Sequence, residues 1–153
     1  MITPSLVEET TVRLLRTAAT QLPEWVLGDL HRALEAERSE EAKAQLRIML
    51  QNAALAESIA SPLCQDTGIA VFYVRGRNDP ALEEAIIEGC RRATREIPLR
   101  PNAVTPLDRK NDGSNVGKGV PHINFLSPTE GIEIGVQLKG AGSENMTALA
   151  MLD

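Results

Sequence analysis

The chain has 153 residues, with 16 Lys and Arg against 21 Asp and Glu for a formal net charge of −5, and 42 % hydrophobic residues. This is globular composition for about one domain, expected to run over 1–153, and it excludes a disordered chain and a general nucleic-acid binder. No apolar run approaches the roughly 20 residues that span a bilayer, so no membrane partner is expected either.

At 16.6 kDa the folded chain is expected to expose about 7,600 Å², burying about two-thirds of its surface. The first sixty residues read as helical scaffold. Pro4 and Ser5 open a stretch in which Leu6, Val7, Thr10, Leu14 and Leu15 recur near helical spacing. Pro23 sits where a second helix starts, with Trp25, Val26, Leu30 and Leu34 as its apolar stripe. Ser39 followed by Glu40 and Glu41 is an N-cap signal for a third, running to about residue 60 with Leu46, Met49, Leu50, Ala53, Ala54 and Leu55 on one face. Nothing in this part has residue types suited to chemistry.

From residue 61 the pattern changes. Ser61-Pro62 breaks the helix, 64–68 reads as a loop, and 69–74 (IAVFYV) reads as a buried strand. Asn78-Asp79-Pro80 starts a helix reaching about residue 96, with Leu82, Ala85, Ile86, Cys90 and Ala93 on one face. Residues 97–119 are rich in Pro, Asn, Asp and Gly, and a loop this long inside a domain is usually functional. Two strands, 121–126 and 131–139, are joined so closely that an antiparallel hairpin is predicted. A helix start is placed at 146–152, with Ser143 as a possible cap. The fold class is therefore α+β, an N-terminal helical layer packed on a small, mainly antiparallel sheet. The apolar ending at 148–152 points to a fragment of a longer protein.

Three loops carry candidate chemistry. Cys64, Gln65, Asp66 and Thr67 place a thiol, an amide, a carboxylate and a hydroxyl side by side. They could ligate a metal, orient a substrate and move a proton, or simply form a turn with Cys64 as a small hydrophobe. Between 91 and 110 lie six basic residues and two acids, a local +4 in an acidic chain. Arg91, Arg92 and Arg95 suit a solvated helix face, whereas Arg100 and Arg109, in the loop, suit a small carboxylate anion. Residues 139–145 (KGAGSEN) could offer backbone N–H groups to an anion, or form a tight strand-to-helix turn. Cys90, on an apolar stripe, reads as a core residue, and His31 and His122 lack ligand spacing.

Together, PLCQDTG at 62–68, PLRPNAVTPLDRKN at 98–111 and KGAGSEN at 139–145 resemble the class I, iron–sulfur fumarase and tartrate dehydratase family, in its N-terminal domain or α subunit. The resemblance implies a hydro-lyase that hydrates fumarate to (S)-malate, with L-tartrate dehydration as the alternative. It implies a 4Fe–4S cluster with Cys64 as one ligand, the remaining cysteines lying outside this chain, since Cys90 is at no family ligand position. Gln65, Asp66, Arg100 and Gly142 would bind substrate, with Asp66 near the proton transfer and Thr67 and Gly68 shaping the turn. A C-terminal domain or β subunit is implied as partner, in an oligomer, and the chain alone is expected to be inactive. Residues 111–115 (NDGSN) depart from the family's NTGDN-like spelling. A dicarboxylate-sensing module and a helical interaction scaffold are the competing readings. With acids early in the N-terminus and no signal-peptide core, a cytoplasmic location is expected.

Overall fold

Local caps set most of the helices. In the computed structural model, which describes residues 2–151, the Thr3 hydroxyl accepts from the Leu6 N–H and starts α1 (Pro4–Thr20). Pro23 stands immediately before α2 (Glu24–Ala36), and the Ser39 hydroxyl accepts from the Ala42 N–H at the head of α3 (Glu40–Ser58). After β1 (Ile69–Arg75), the Asp79 carboxylate accepts from the Ala81 N–H at 2.9 Å and begins α4 (Pro80–Glu96). The chain continues through β2 (His122–Phe125), β3 (Glu133–Lys139) and α5 (Ala141–Met146). Among the described residues no helix is long and apolar enough to cross a membrane. The α+β class holds.

The core lies between one sheet face and the α1–α4 pair. Ala70, Phe72 and Val74 point from β1 into a cluster with Leu15, Ile86, Cys90, Ala93 and Ile97. The two helices approach closely at Gly89, where an added Cβ would lie 2.6 Å from Thr11 Cβ. Thr11 is itself buried, and its hydroxyl donates to the Val7 carbonyl at 2.9 Å. Arg92 ties the helices at their surface, pairing with Glu8 at 2.9 Å, with Glu9, and with Glu96 at 2.7 Å. That guanidinium holds the Glu9 carboxyl below the usual carboxylate range.

The sheet corrects the expected hairpin. Its order is β2-β1-β3, with β1 parallel to β2 and antiparallel to β3, so the two later strands never pair and the sheet is mixed. β1 is the most apolar strand and takes the doubly paired centre, while α4 and the long loop supply the crossover that parallel pairing needs. Tyr73, His122, Asn124, Gly135 and Gln137 share the opposite, exposed face.

Three helix expectations also change. No residue of α2 is buried, and Trp25, expected in the stripe, is 71 % exposed; Val26, Leu30 and Leu34 are half-buried. Met49 and Leu55 of the expected α3 face are exposed, and only Ala53 and Ala56 of that helix are buried. The last helix is α5, starting on Ala141 directly after β3, so Ser143 lies inside it and residues 147–151 are not helical; Leu152 and Asp153 lie outside the described residues. With one sheet face open and α2 and α3 lightly packed, the protein exposes 10677 Å², well above the expectation from its mass.

Candidate functional site

The loop from Ser61 to Gly68 is anchored from three sides. The Leu63 N–H donates to the Ala19 carbonyl at 2.9 Å, and the Asn52 amide of α3 donates to the Leu63 carbonyl at 2.8 Å. At the other end Gly68 adopts φ +79°, and a Cβ there would sit 2.5 Å from the Lys139 carbonyl oxygen. Only glycine permits this approach, and it presses the first loop against the end of β3.

The first and third motifs then join directly. One Asp66 carboxylate oxygen accepts from the Ala141 N–H at 3.2 Å, the other from the Gly142 N–H at 3.0 Å. Asp66 thus spans 75 and 76 residues of sequence to hold the first turn of α5. The first and second motifs join through Thr67, whose hydroxyl accepts from the Arg100 N–H at 3.0 Å, and through Asn102, whose amide donates to the Gly68 carbonyl at 2.9 Å.

These contacts shape an open cleft of about 920 Å³ lined by Cys64, Gln65, Asp66, Thr67, Pro98 and Arg100, with Asn52 in its wall. Cys64, Gln65 and the Arg100 side chain are exposed to it, and the Cys64 thiol lies 3.5 Å from the Asp66 carbonyl oxygen. Gly142 connects to this cleft through Asp66, its N–H being engaged there. Arg109 does not line it and sits with φ +54° in a turn closed by its N–H on the Thr105 carbonyl. Arg91 and Arg92 are engaged by acids, Glu88 in the first case and Glu8, Glu9 and Glu96 in the second. Among the basic residues at 91–110, Arg100 alone lines the cleft.

The two thiols differ in kind. Cys90 is 1 % exposed, and burial pushes its thiol up to about 12, so it stays protonated and inert at neutral pH. Cys64 stands open in the cleft. Among the described residues no group of three His, Cys, Asp or Glu could hold a metal ion. The cleft therefore provides one exposed thiol, and these residues do not by themselves make up a three-cysteine cluster site.

Sequence reasoning missed the polar residues behind the cleft. Asn52 went unnoticed because its helix shows only an apolar face and capping signals, and Asn115 was read only as part of the divergent 111–115 spelling, with no role of its own, in a loop already crowded with Asn, Asp and Gly. A buried Asn after a long aperiodic loop is the sort of signal that only its distant partners make meaningful.

The sequence matches the family described as Fumarate hydratase (Fumerase) over residues 8–153. The chain belongs to the fumarate hydratase family. It is 44 % identical over 155 residues to a Methanocaldococcus jannaschii protein provisionally named L(+)-tartrate dehydratase subunit alpha, covering 95 % of this chain and 54 % of that one. It is 34 % identical over 130 residues to the L(+)-tartrate dehydratase subunit alpha of Escherichia coli K12, covering 81 % of this chain and 43 % of the relative. Against a Geobacillus stearothermophilus protein provisionally named fumarate hydratase class I, identity is 32 % over 142 residues, or 90 % of this chain and 28 % of the relative. The chain thus spans about half the length, or less, of these curated relatives.

Proposed function

We propose that this chain forms the α portion of a hydro-lyase acting on a four-carbon dicarboxylate, in the reversible hydration of fumarate to (S)-malate. The observation that carries this reading is convergence: Cys64, Gln65, Asp66 and Arg100, drawn from segments about 35 residues apart, line one cleft, and Asp66 reaches on to Gly142. In the dehydrating direction the C2 hydroxyl and a C3 proton leave malate as water.

Each residue has a part that its chemistry fits. Arg100 presents a planar fork that matches a carboxylate bidentately. The Gln65 amide can donate and accept beside it. Loss of a proton next to a carboxylate builds negative charge, which fixed N–H donors such as that of Gly142 stabilise. That N–H now faces Asp66, so a substrate oxygen arriving at Gly142 would release the Asp66 carboxylate toward the proton-transfer step. The base itself is expected from a C-terminal domain or β subunit, the partner in the assembled oligomer.

A 4Fe–4S cluster, when bound, would supply Lewis acidity toward the departing hydroxyl. Cys64 would be its one ligand from this chain, the remaining cysteine ligands lying outside it. The names of the 44 % and 34 % identical relatives favour a second reading, L-tartrate as the hydroxy acid. A dicarboxylate-binding module without turnover is the third.

The test assembles the chain with its partner portion under anaerobic conditions and assays fumarate, malate and L-tartrate. Asp66→Asn is expected to lower kcat by about 10-fold or more with a smaller change in KM, and Arg100→Ala to raise KM. Hydration by the isolated 153-residue chain would overturn the two-part reading. Full activity in Asp66→Asn, beside equal losses of binding and turnover in Asp66→Ala, would remove Asp66 from the proton step. Binding without turnover in the complete assembly would leave the sensing module.

A further inference from the structure

Asn115 lies behind the cleft and does not line it, yet it holds the backbone that presents Arg100. It is 5 % exposed, and three of the four hydrogen bonds open to its side-chain amide are made inside the protein. The amide oxygen accepts from the Asn102 N–H at 2.8 Å. The amide nitrogen donates to the Arg100 carbonyl at 3.1 Å and to the Thr94 hydroxyl of α4 at 3.3 Å. Asn115's own carbonyl lies 3.8 Å from the buried Cys90 thiol.

The same segment, 100–102, is also held by the first loop. Thr67 takes the Arg100 N–H, and Gly68 takes the Asn102 amide. The short segment is therefore clamped between α4, through Asn115, and the Cys64 loop, through Thr67 and Gly68. The Arg100 side chain, exposed and making no ion pair among the described residues, takes its aim from that backbone.

We propose that Asn115 is a positioning residue that fixes Arg100 for carboxylate recognition, by coupling the 100–102 backbone to the rigid α4 helix. The proposal rests on the substrate-binding reading of Arg100 given above. A carboxylate clamped alike in ground and transition states governs KM more than kcat, so loss of the clamp falls on KM. No hydrophobic replacement reproduces an amide that donates to two oxygens and accepts from one N–H, because the orphaned buried groups then lack partners.

Two readouts test it in Asn115→Ala, with Thr94→Val as a milder variant that keeps the amide and removes one of its acceptors. In the 153-residue chain, amide hydrogen exchange is read at Asn102, bonded to Asn115, and at Arg100, bonded to Thr67. A clamp predicts that both amides lose protection in Asn115→Ala, and that Thr94→Val does the same to a lesser degree. In the assembled enzyme, KM for the dicarboxylate is expected to rise about 10-fold in Asn115→Ala with kcat within about 3-fold of wild type. Protection retained at the Arg100 amide would overturn the clamp, as would an unchanged KM in Asn115→Ala when Arg100→Ala raises it. If Asn115→Ala does not fold, Thr94→Val decides both readouts by the same criteria. An unchanged KM in Arg100→Ala would instead remove the substrate reading of Arg100, and exchange alone would then decide the clamp.

Discussion

The two helix pairs of the protein, α1 with α4 and α2 with α3, are packed to different degrees. α1 and α4 bury six and seven residues against the sheet, approach to glycine distance at Gly89 and are laced by Arg92. α2 buries none and α3 only Ala53 and Ala56. The difference separates what folds the protein from what serves the site: α1 and α4 make the core and α4 anchors the Arg100 segment, whereas α3 reaches the cleft through the single amide of Asn52.

Three substitutions or conditions probe that contrast. Phe72→Ala, at the centre of the core and 0 % exposed, should cost about 3–5 kcal/mol in denaturant unfolding. A loss below about 1 kcal/mol would mean the core is not where the packing places it. Next comes alkaline pH. Burial raises the folded Cys90 thiol from 9.0 to about 12, so over that window the unfolded chain gives up this proton first and the folded state holds more protons. Stability from this group is complete below pH 9 and falls as pH rises toward 12. Wild type should therefore lose at least about 1 kcal/mol more than Cys90→Ala across the window, and parallel pH curves would refute it. The smallest effect belongs to α2: Trp25→Ala should change stability by no more than about 0.5 kcal/mol. A larger loss would show that α2 packs more tightly than its exposure indicates.

The helices of the core were legible because their signals are local. Pro4 and Asp79-Pro80 mark their starts, and Leu82, Ala85, Ile86, Cys90 and Ala93 recur at helical spacing and are all buried. Trp25 misled because a helical stripe shows which residues share a face, and not whether another layer covers it. The sheet order was illegible for a related reason. A short connection between two strands favours pairing them, but β1 outcompetes each as a partner through its apolar face beneath α1 and α4. The three site motifs could be read and grouped by resemblance, whereas the hydrogen bonds joining them cross 33 to 76 residues and leave no periodic trace. Arg100 and Arg109 looked alike in sequence; only the fold of 97–119 puts one in the cleft and turns the other away.

The central seat of β1 also governs how the protein emerges from a ribosome. Its parallel neighbour begins at His122 and its antiparallel neighbour ends at Lys139, so β1 waits for both after it is made. At a translation speed of 5–20 residues per second, the 64 residues between Arg75 and Lys139 take roughly 3–13 s. Until β2 is made at Phe125, Phe72 and Val74 sit on a nascent strand with neither edge paired, sheltered only by α1, already made, and then by α4.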